Sequence, residues 1–292
     1  MSNSAHPVGI TGATHASPDY LAAAAEAELL HRLHGQYFVA DEQHDPLLDE
    51  RRLLVEFCAE SILKDATRLA EALRIAGAGN GAARPIVVRA PAHITLAEPW
   101  HRHLTYLRHT GGPADASPEG PARHRPAPLT VRPADPDTDE AAIARWLVKA
   151  LVDGSAGHGV AADPATADAV ARDIIEAPDR VSFVATQGDG PAIGHLTLLG
   201  QAHDPVTGRD YIDLVDVLVE GDAGPRRAGT AALTATAIAH ARNARLPLIG
   251  NVIHPAPHLA AGHGDRVVAS LVADGWEVDH VFWRRPADPD DA

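Results

Sequence analysis

The clearest pattern of hydrophobic and polar positions runs over residues 211–242. Its first part is short and rich in branched apolar residues, which predicts a buried strand made of Ile212, Leu214, Val215, Val217, Leu218 and Val219. Its last part, from about 227 to 242, lacks Pro and is dense in Ala, with Leu233 and Ile238 spaced for one side of a helix. A Gly/Pro loop separates this strand from this helix.

The rest of the C-terminal half predicts a mixed α/β domain over 129–286. Short runs of branched residues predict strands at 129–132, 180–186, 193–199, 246–253 and 278–284, beside the strand that starts at Ile212. Apolar residues at helical spacing predict helices at 139–152, 163–175 and about 265–274. Pro164 suits the first turn of the second of these helices.

The N-terminal half gives mostly helical signals. Apolar residues return at three- and four-residue steps within 49–76, and the other elements predicted are helices over 20–34 and about 96–109 and a strand over 85–89. A Pro/Gly/Ala-rich run marks a domain boundary. The prediction is a flexible arm over 1–18, a mainly helical accessory domain over 19–110, a linker over 111–128, the α/β domain over 129–286 and a tail over 287–292.

Composition excludes several classes of protein. The chain of 292 residues has 25 basic and 39 acidic residues, a net charge of -14, which argues against binding to nucleic acid or to an anionic membrane. Its one cysteine, Cys58, excludes a disulfide framework and a cysteine-based zinc site. Because no apolar stretch reaches the roughly 18 residues of a membrane span, a cytoplasmic protein is expected. No metal is predicted, since the histidines at 93, 101, 103 and 109 lack ligand spacing.

The loop before the helix at about 227 has the composition of an anion site. Gly221, Gly224 and Gly229 leave the backbone free to approach a ligand, while Arg226 and Arg227 add two guanidiniums at a helix start. The chain contains no Gly-Lys pair, so the loop is not a nucleotide P-loop.

The spacing of this loop resembles a known signature. Arg226-x-x-Gly229-x-Ala231 is similar to Gln/Arg-x-x-Gly-x-Gly/Ala, the pyrophosphate-binding signature of the GNAT acetyltransferase superfamily. The predicted order of elements over about 128–285 is also that of the family, and 267–276 resembles the family's helix that ends in Gly-Phe. The resemblance implies a GNAT-like, mostly antiparallel mixed sheet flanked by helices. In the N-terminal half, the repeated order of helix, strand and helix leaves a degenerate second GNAT module as the alternative to a helical domain.

The resemblance also implies acetyl-CoA as co-substrate. The pyrophosphate would meet the backbone N–H groups of Arg227, Ala228, Gly229, Thr230 and Ala231, with the side chain of Arg226 in support. The pantetheine arm would pair with the backbone of the preceding strand at Val217, Leu218 and Val219. The stretch from Val219 to Arg226 is two residues longer than the family's usual spacing, so a bulged loop is expected.

Acyl transfer to an amine needs a group that accepts the amine's proton. By position in the family, Asp213 is the candidate base and Asp216 the next acidic choice on that strand; regular alternation would put the two on opposite faces. A carboxylate merely paired with an Arg is the alternative for Asp213. The family's acid, a Tyr, is replaced by Leu271 and its Asn by Gly264, so His254, His258 and His263 are the candidates for the acid, with His254 preferred.

The predicted function is therefore an acetyl-CoA-dependent N-acetyltransferase that acts on the amine of a small molecule. The alternatives are a non-catalytic acyl-CoA-binding or sensory module and a structural protein with a GNAT-like shell. The sequence leaves a homodimer open.

Overall fold

The computed structural model describes residues 16–77, 84–110, 129–188, 190–260 and 262–287. The predicted linker at 111–128 lies outside these residues, as do most of the predicted arm and tail. Below, the N-terminal half means residues 16–110 and the C-terminal half residues 129–287.

One sheet runs through the whole described part of the chain. Its eleven strands follow the order β1-β2-β3-β4-β11-β5-β10-β9-β8-β7-β6. Their bounds are β1 Leu30–Leu33, β2 Gln36–Asp45, β3 Glu50–Cys58, β4 Ile86–Pro91, β5 His101–His109, β6 Leu129–Pro133, β7 Arg180–Gln187, β8 Ala192–Asp204, β9 Arg209–Val219, β10 Leu248–Ile253 and β11 Glu277–Arg285.

Helices cover both faces of this sheet. Their bounds are α1 Pro18–Glu26, α2 Glu60–Leu63, α3 Ala66–Ile75, α4 Pro136–Gly157, α5 Pro164–Glu176, α6 Ala223–Ala244, α7 Pro257–Ala260 and α8 His263–Ala273. In the C-terminal half, α6 and α8 cover one face, called the α6 face, through a core that includes Ile212, Leu233 and Leu248. Helices α4 and α5 cover the other, called the α4 face, around Trp146 and Val184.

Apart from β6, which has no counterpart in the N-terminal half, the strands of the two halves follow the same order, and the halves exchange their last strands. β3 and β4 are parallel neighbours in one half, as β9 and β10 are in the other. However, β5 of the N-terminal half pairs with β10, and β11 of the C-terminal half pairs with β4. The two exchanged strands then pair with each other at the centre of the sheet. Each half is therefore completed by a strand of the other.

Two ion pairs tie hairpin tips to strands of the opposite half. The guanidinium of Arg89 on β4 donates to both carboxylate oxygens of Asp204 at 2.8 and 2.7 Å. In the same way Arg284 on β11 donates to Glu50 at 2.7 and 2.5 Å. All four side chains are at most one-fifth exposed. Loss of one partner would leave a charge with little water around it, which is costly.

The elements predicted for the C-terminal half are confirmed. Helix starts follow their capping residues: the carboxylates of Asp135 and Asp163 accept backbone N–H groups of α4 and α5, and each is followed by Pro. Strand and helix positions agree with the patterns of branched and helically spaced residues.

The prediction of a mainly helical N-terminal domain is wrong. Residues 50–58 and 101–109, predicted as parts of helices, form the strands β3 and β5. Leu54, Phe57 and Cys58 have helical spacing, but they lie in an interior strand that is covered on both faces, where alternation is lost. In β5 the buried residues alternate strictly, His103, Thr105, Leu107 and His109. The strands β1 and β2 were not predicted, and their presence supports the alternative of a second GNAT-like module.

Because of the strand exchange, we expect neither half to fold alone. Without β5, a fragment of residues 129–292 would leave β10 and β11 without the strand that joins them. We predict that this fragment aggregates or lacks cooperative unfolding, and that co-expression with residues 1–112 restores a complex with the circular dichroism and thermal transition of the intact chain. A protease site placed within 111–128 is the control: the cleaved halves should elute together in gel filtration. Independent, cooperative unfolding of the 129–292 fragment would contradict the expectation.

Candidate active site

A wedge opens between two parallel strands of the C-terminal half. β9 and β10 pair at three positions, Ile212 with Leu248, Asp213 with Ile249 and Leu214 with Gly250. Beyond these pairs, 216–219 of β9 stay paired with β8 while 251–253 of β10 stay paired with β5. The backbone edge of β9 that includes Val217, Leu218 and Val219 therefore faces the wedge. This geometry suits the pantetheine pairing predicted for these residues, which stays a prediction.

Helix α4 covers the wedge on the α4 face of the sheet. A Cβ atom at Gly154 would lie 2.9 Å from the Cδ1 atom of Ile253, so the absence of a side chain lets α4 approach the end of β10. The backbone N–H of Ala256 donates to the carbonyl of Gly157 at 2.8 Å and holds the chain after β10 against the helix.

Asp213 lies at the closed end of the wedge, in the middle one of the three pairs between β9 and β10. Its neighbour Ile212 packs on the α6 face, so the Asp213 side chain points to the α4 face. Burial raises the pKa of this carboxyl to about 6. Within the described part of the chain, no hydrogen bond or ion pair to a cation compensates the carboxylate. The alternative that Asp213 is an edge carboxylate paired with an Arg is thus not what the structure shows.

Two tyrosines flank Asp213 on the same face. Burial raises the pKa of both phenols, and the nearby charge of Asp213 is the second cause. The pKa of Tyr211 rises to about 12, and that of Tyr106 is raised as well. Both phenols therefore stay protonated at neutral pH and remain available as hydrogen-bond donors. Sequence reasoning missed Tyr106 because β5 was predicted as a helix; the period-two burial of that strand is the signal that could have revealed it.

A β-bulge corrects the predicted relation between Asp213 and Asp216. Leu198 pairs with Leu214 whereas Thr197 pairs with Asp216, so Val215 is an extra residue on β9 and both aspartates face α4. Asp216 is already engaged: its carboxylate lies 2.9 Å from Nε2 of the fully buried His195, whose ring stacks on Trp146. Its role in the structure is to hold a buried histidine.

The structure separates His254 from Asp213. The Nε2 atom of His254 lies 2.8 Å from the hydroxyl of Thr105, and a Cβ atom at Gly264 would lie 2.5 Å from its Nδ1. Gly264 belongs to α8, so His254 is packed on the α6 face. The sheet therefore lies between His254 and Asp213, and the predicted role of His254 as the acid stays a prediction. The absence of a side chain at Gly264 has a packing reason, which is room for this ring.

The predicted phosphate loop is shorter than expected. Helix α6 begins at Ala223, and the N–H of Arg226 already donates to the carbonyl of Asp222 at 2.9 Å. Arg227, Ala228, Gly229, Thr230 and Ala231 lie inside the helix, where their N–H groups are used by the helix itself. The expectation that these five groups cradle a pyrophosphate is therefore wrong for this conformation. The N–H groups that the helix itself does not use are those of its first turn, at Ala223 and Gly224. The exposed guanidiniums of Arg226 and Arg227 follow about one turn later.

Gly229 has a structural reason to be Gly. A Cβ atom at this position would lie 2.9 Å from the Cγ1 atom of Val219, so α6 sits close against the end of β9. A larger residue would push the helix off the sheet. Replacing Gly229 is therefore a poor test of ligand binding, whereas the exposed arginines can be changed without disturbing this contact.

A layer of polar groups extends from Asp213 across the centre of the sheet. Tyr106 stacks on His280 with ring centroids 4.4 Å apart. The Nδ1 atom of His280 lies 2.8 Å from Asp279, which is buried. Although burial opposes its ionisation, the hydrogen bond with His280 and the nearby Arg209 and Arg108 keep the pKa of Asp279 below its usual value.

This layer ends at a cavity of about 570 Å³. Its polar wall comes from both halves: Glu56, Arg89, Arg108, Arg209, Asp279 and His280. Glu56 and Arg89 lie where β3 and β4 diverge, after the last of their three pairs at Val55 and Val88. The cavity therefore adjoins the N-terminal counterpart of the wedge.

The order of elements in the C-terminal half decides the fold. β6, the pair α4 and α5, the antiparallel strands β7–β9, α6, β10, α8 and β11 follow one another in the order that the family resemblance implied. The fold is GNAT-like. No family model matches the sequence, and no curated protein matches it either.

Several solved structures are similar to the chain at low sequence identity. The chain is similar to a GCN5-related N-acetyltransferase from Sphaerobacter thermophilus, with 16% identity and a TM-score of 0.47 over 87% of this chain and 78% of that one. A tandem GNAT protein from the clavulanic acid biosynthesis pathway has 15% identity and a TM-score of 0.40, over 96% and 91%. A GNAT-family acetyltransferase from Colwellia psychrerythraea has 12% identity and a TM-score of 0.44, over 89% and 84%. At identities and TM-scores this low, function is inferred below from the geometry of this chain.

The described residues contain neither a membrane-spanning helix nor a cluster of metal ligands. No helix among them is both long and apolar enough to cross a membrane. Nor do three or more His, Cys, Asp or Glu side chains in those residues come together as metal ligands.

Asp213 should lower stability at neutral pH, because its pKa is raised in the folded state. The native carboxyl holds its proton up to about pH 6 while the unfolded one loses it near pH 4, so stability falls as pH rises through that window and stays lower above it. We predict that Asp213→Asn stabilises the chain by about 1 to 3 kcal/mol at about pH 7 and by little near pH 4, measured by urea unfolding. Asp153→Asn, at an exposed ion pair on α4, is the control and should change stability little at either pH. A destabilised Asp213→Asn at neutral pH would show that the carboxylate has a stabilising partner.

Proposed function

We propose that the chain is an acetyl-CoA-dependent N-acetyltransferase that acts on the amine of a small molecule. The observation that carries the proposal is Asp213: a carboxylate with no charge partner among the described residues, with its pKa raised to about 6, at the closed end of the wedge between β9 and β10. A base with this pKa is ionised at neutral pH and is still basic enough to accept a proton from an amine as it reacts.

The reaction follows from these positions. The amine nitrogen attacks the thioester carbonyl, its C–N bond forms as the C–S bond breaks, and Asp213 receives the proton that the nitrogen loses. The leaving thiolate takes a proton from solvent. Holding amine and thioester together at the wedge supplies much of the rate enhancement. Backbone N–H groups on the open edge of β9 are the candidates to polarise the carbonyl.

The residues around the wedge fit most of a CoA molecule. The open backbone edge at Val217, Leu218 and Val219 matches the amide groups of a pantetheine arm. The guanidiniums of Arg226 and Arg227 lie at the adjoining helix start, where they would meet the pyrophosphate. Asp222 opposes an anion there, since it caps α6 without a side-chain hydrogen bond to the helix. The two arginines therefore become more important than the backbone in this chain.

A non-catalytic acyl-CoA-binding module is the second candidate. The observations in its favour are Leu271 at the family's Tyr position and the placement of His254 on the far face of the sheet. Such a module would bind acetyl-CoA, and a ligand concentration of about a hundred times Kd would raise the free energy of unfolding by about 2.7 kcal/mol. No amine would cause release of the thiol.

The pH dependence of turnover tests the role of Asp213. For the wild-type chain, kcat/KM should rise about tenfold per pH unit below about pH 6 and then level off, because the carboxylate is the active form. We predict that Asp213→Asn lowers kcat by roughly 10²- to 10⁴-fold and removes the rising limb, as measured by thiol release. Asp153→Asn should leave both unchanged. A rising limb that survives in Asp213→Asn would assign the base to another group.

The two arginines are tested by charge reversal. Replacing Arg226 and Arg227 together by Glu should raise the KM for acetyl-CoA by about 10- to 100-fold with little change in kcat, since charge-assisted hydrogen bonds to phosphate would be lost. Arg172→Glu makes the same kind of charge change at an exposed position on α5 and should leave KM unaltered. If the double variant binds acetyl-CoA as well as the wild type does, the pyrophosphate does not lie at the start of α6.

A further inference from the structure

The central cavity lies beside Asp213 on the α4 face. Arg108 lines it, and Arg108 pairs in register with Ile249, which in turn pairs with Asp213. At about 4.8 Å per strand, the Cα atoms of Asp213 and Arg108 are therefore roughly 10 Å apart. The wedge begins on the other side of Asp213. A molecule in the cavity could thus reach the proposed base from the side opposite the thioester.

Strand β9 gives a second measure of this proximity. Arg209, Tyr211 and Asp213 alternate along the strand, so they point to one face, and Arg209 lines the cavity. Tyr106 bridges the same gap on β5, because it lies near Asp213 and stacks on His280, which also lines the cavity.

The ion pairs of the cavity are distributed unevenly among its arginines, and Glu56, a further carboxylate of the wall, accepts a hydrogen bond from the Tyr20 hydroxyl at 2.8 Å. Arg89 is matched by Asp204 in a bidentate pair. In contrast, Arg108 and Arg209 share a single buried carboxylate, Asp279, at 3.7 and 3.3 Å.

The hydrogen bonding of the Arg108 guanidinium is incomplete within the described residues. Its guanidinium also donates to Glu277, but that side chain is 63% exposed, and such surface pairs contribute little. Its Nε atom is buried and has no hydrogen-bond partner in the described part of the chain. A carboxylate would match these groups.

A second CoA molecule is a poor match for this place. In the N-terminal half the helix after β3 is α2, which starts with Ala59 and Glu60 and has four residues. Glu60 at the first position of α2 is paired with Lys64 at 2.5 Å and with His93 at 3.1 Å, so this helix start presents an ion pair where α6 presents two exposed guanidiniums. A pyrophosphate therefore gains less here than at the start of α6, whereas a small acceptor needs no such contact.

We propose that this cavity is the acceptor site, and that the acceptor is an amino acid whose reacting amine lies several bonds away from its carboxylate. Arg108 and Arg209 bind the carboxylate, and the distal amine extends toward Asp213, where the acetyl group is transferred from sulfur to nitrogen and the amine's proton passes to Asp213. The proposal rests on the proposed acetyltransferase function and assigns acceptor recognition to a site built by both halves.

Matched pairs of compounds test the class of acceptor. Thermal shift and calorimetric titration of the full chain are measured with L-lysine and L-ornithine, and with their decarboxylated counterparts cadaverine and putrescine. We expect at least one of the amino acids to stabilise the chain and to bind at least tenfold more tightly than its decarboxylated counterpart. Equal binding of acid and decarboxylated amine, or binding of none of the four, would overturn the proposal.

Variants locate the site. Arg108→Gln with Arg209→Gln should weaken amino-acid binding at least tenfold, whereas Arg172→Gln on α5 should not change it. Because the double variant also loosens Asp279, Arg209→Lys alone is included, and it should retain part of the affinity. Unchanged binding by the double variant would overturn the proposal, since the ligand would then lie elsewhere.

Failure of the proposed function has a different signature. Binding is measured without acetyl-CoA, so tight amino-acid binding that depends on Arg108 and Arg209 but yields no N-acetylated product supports the cavity as a binding site and contradicts acyl transfer. N-acetylation of the diamines at rates equal to those of the amino acids supports acyl transfer and contradicts the cavity assignment.

Discussion

The pairing of β5 with β11 at the centre of the sheet is the constraint on which the rest of the structure depends. Each of these strands fills the place that the last strand of the opposite half would otherwise take. Interior strands satisfy their backbone groups on both edges, so removing either one would expose two edges rather than one. The ion pairs Arg89–Asp204 and Arg284–Glu50 likewise join a hairpin of one half to a strand of the other. A site on the central face is consequently built by both halves.

The strand exchange also explains the environment of Asp213. Tyr106, from the N-terminal half, covers the α4 face beside this carboxylate and removes water from it, yet no cation from either half is placed against it within the described residues. A buried carboxylate without a counterion is unfavourable to folding, and its raised pKa is the measure of that cost. Asp216 and Asp279 show the ordinary solution, since each has a histidine partner. The contrast between these three aspartates in one region is what singles out Asp213 chemically.

Sequence patterns predicted most of the C-terminal half because its helices and strands have distinct periods and clear capping residues. They failed for β3, an interior strand covered on both faces, in which Leu54, Phe57 and Cys58 have helical spacing. They also failed for β5, although its buried residues alternate with period two. Local irregularities were also out of reach: a one-residue bulge at Val215 reverses the relation of Asp213 to Asp216, and the early start of α6 takes the signature residues into the helix. The position of Tyr106 near Asp213 depends on pairing between strands that are distant in sequence, and the periodicity of one segment gives no information on such pairing.

The two halves have similar strand pairing but carry different side chains where their parallel strands diverge. Both halves have parallel strands that pair three times and then diverge. The helix after the N-terminal wedge starts with Glu60, which is paired with Lys64, whereas the helix after the C-terminal wedge presents the exposed Arg226 and Arg227. The position of Asp213 in β9 is occupied in β3 by Leu54, which pairs with Val87 as Asp213 pairs with Ile249. The C-terminal wedge therefore has both a candidate base and exposed guanidiniums, whereas the N-terminal wedge has no carboxylate at the matching strand position and contributes instead to the cavity at the centre.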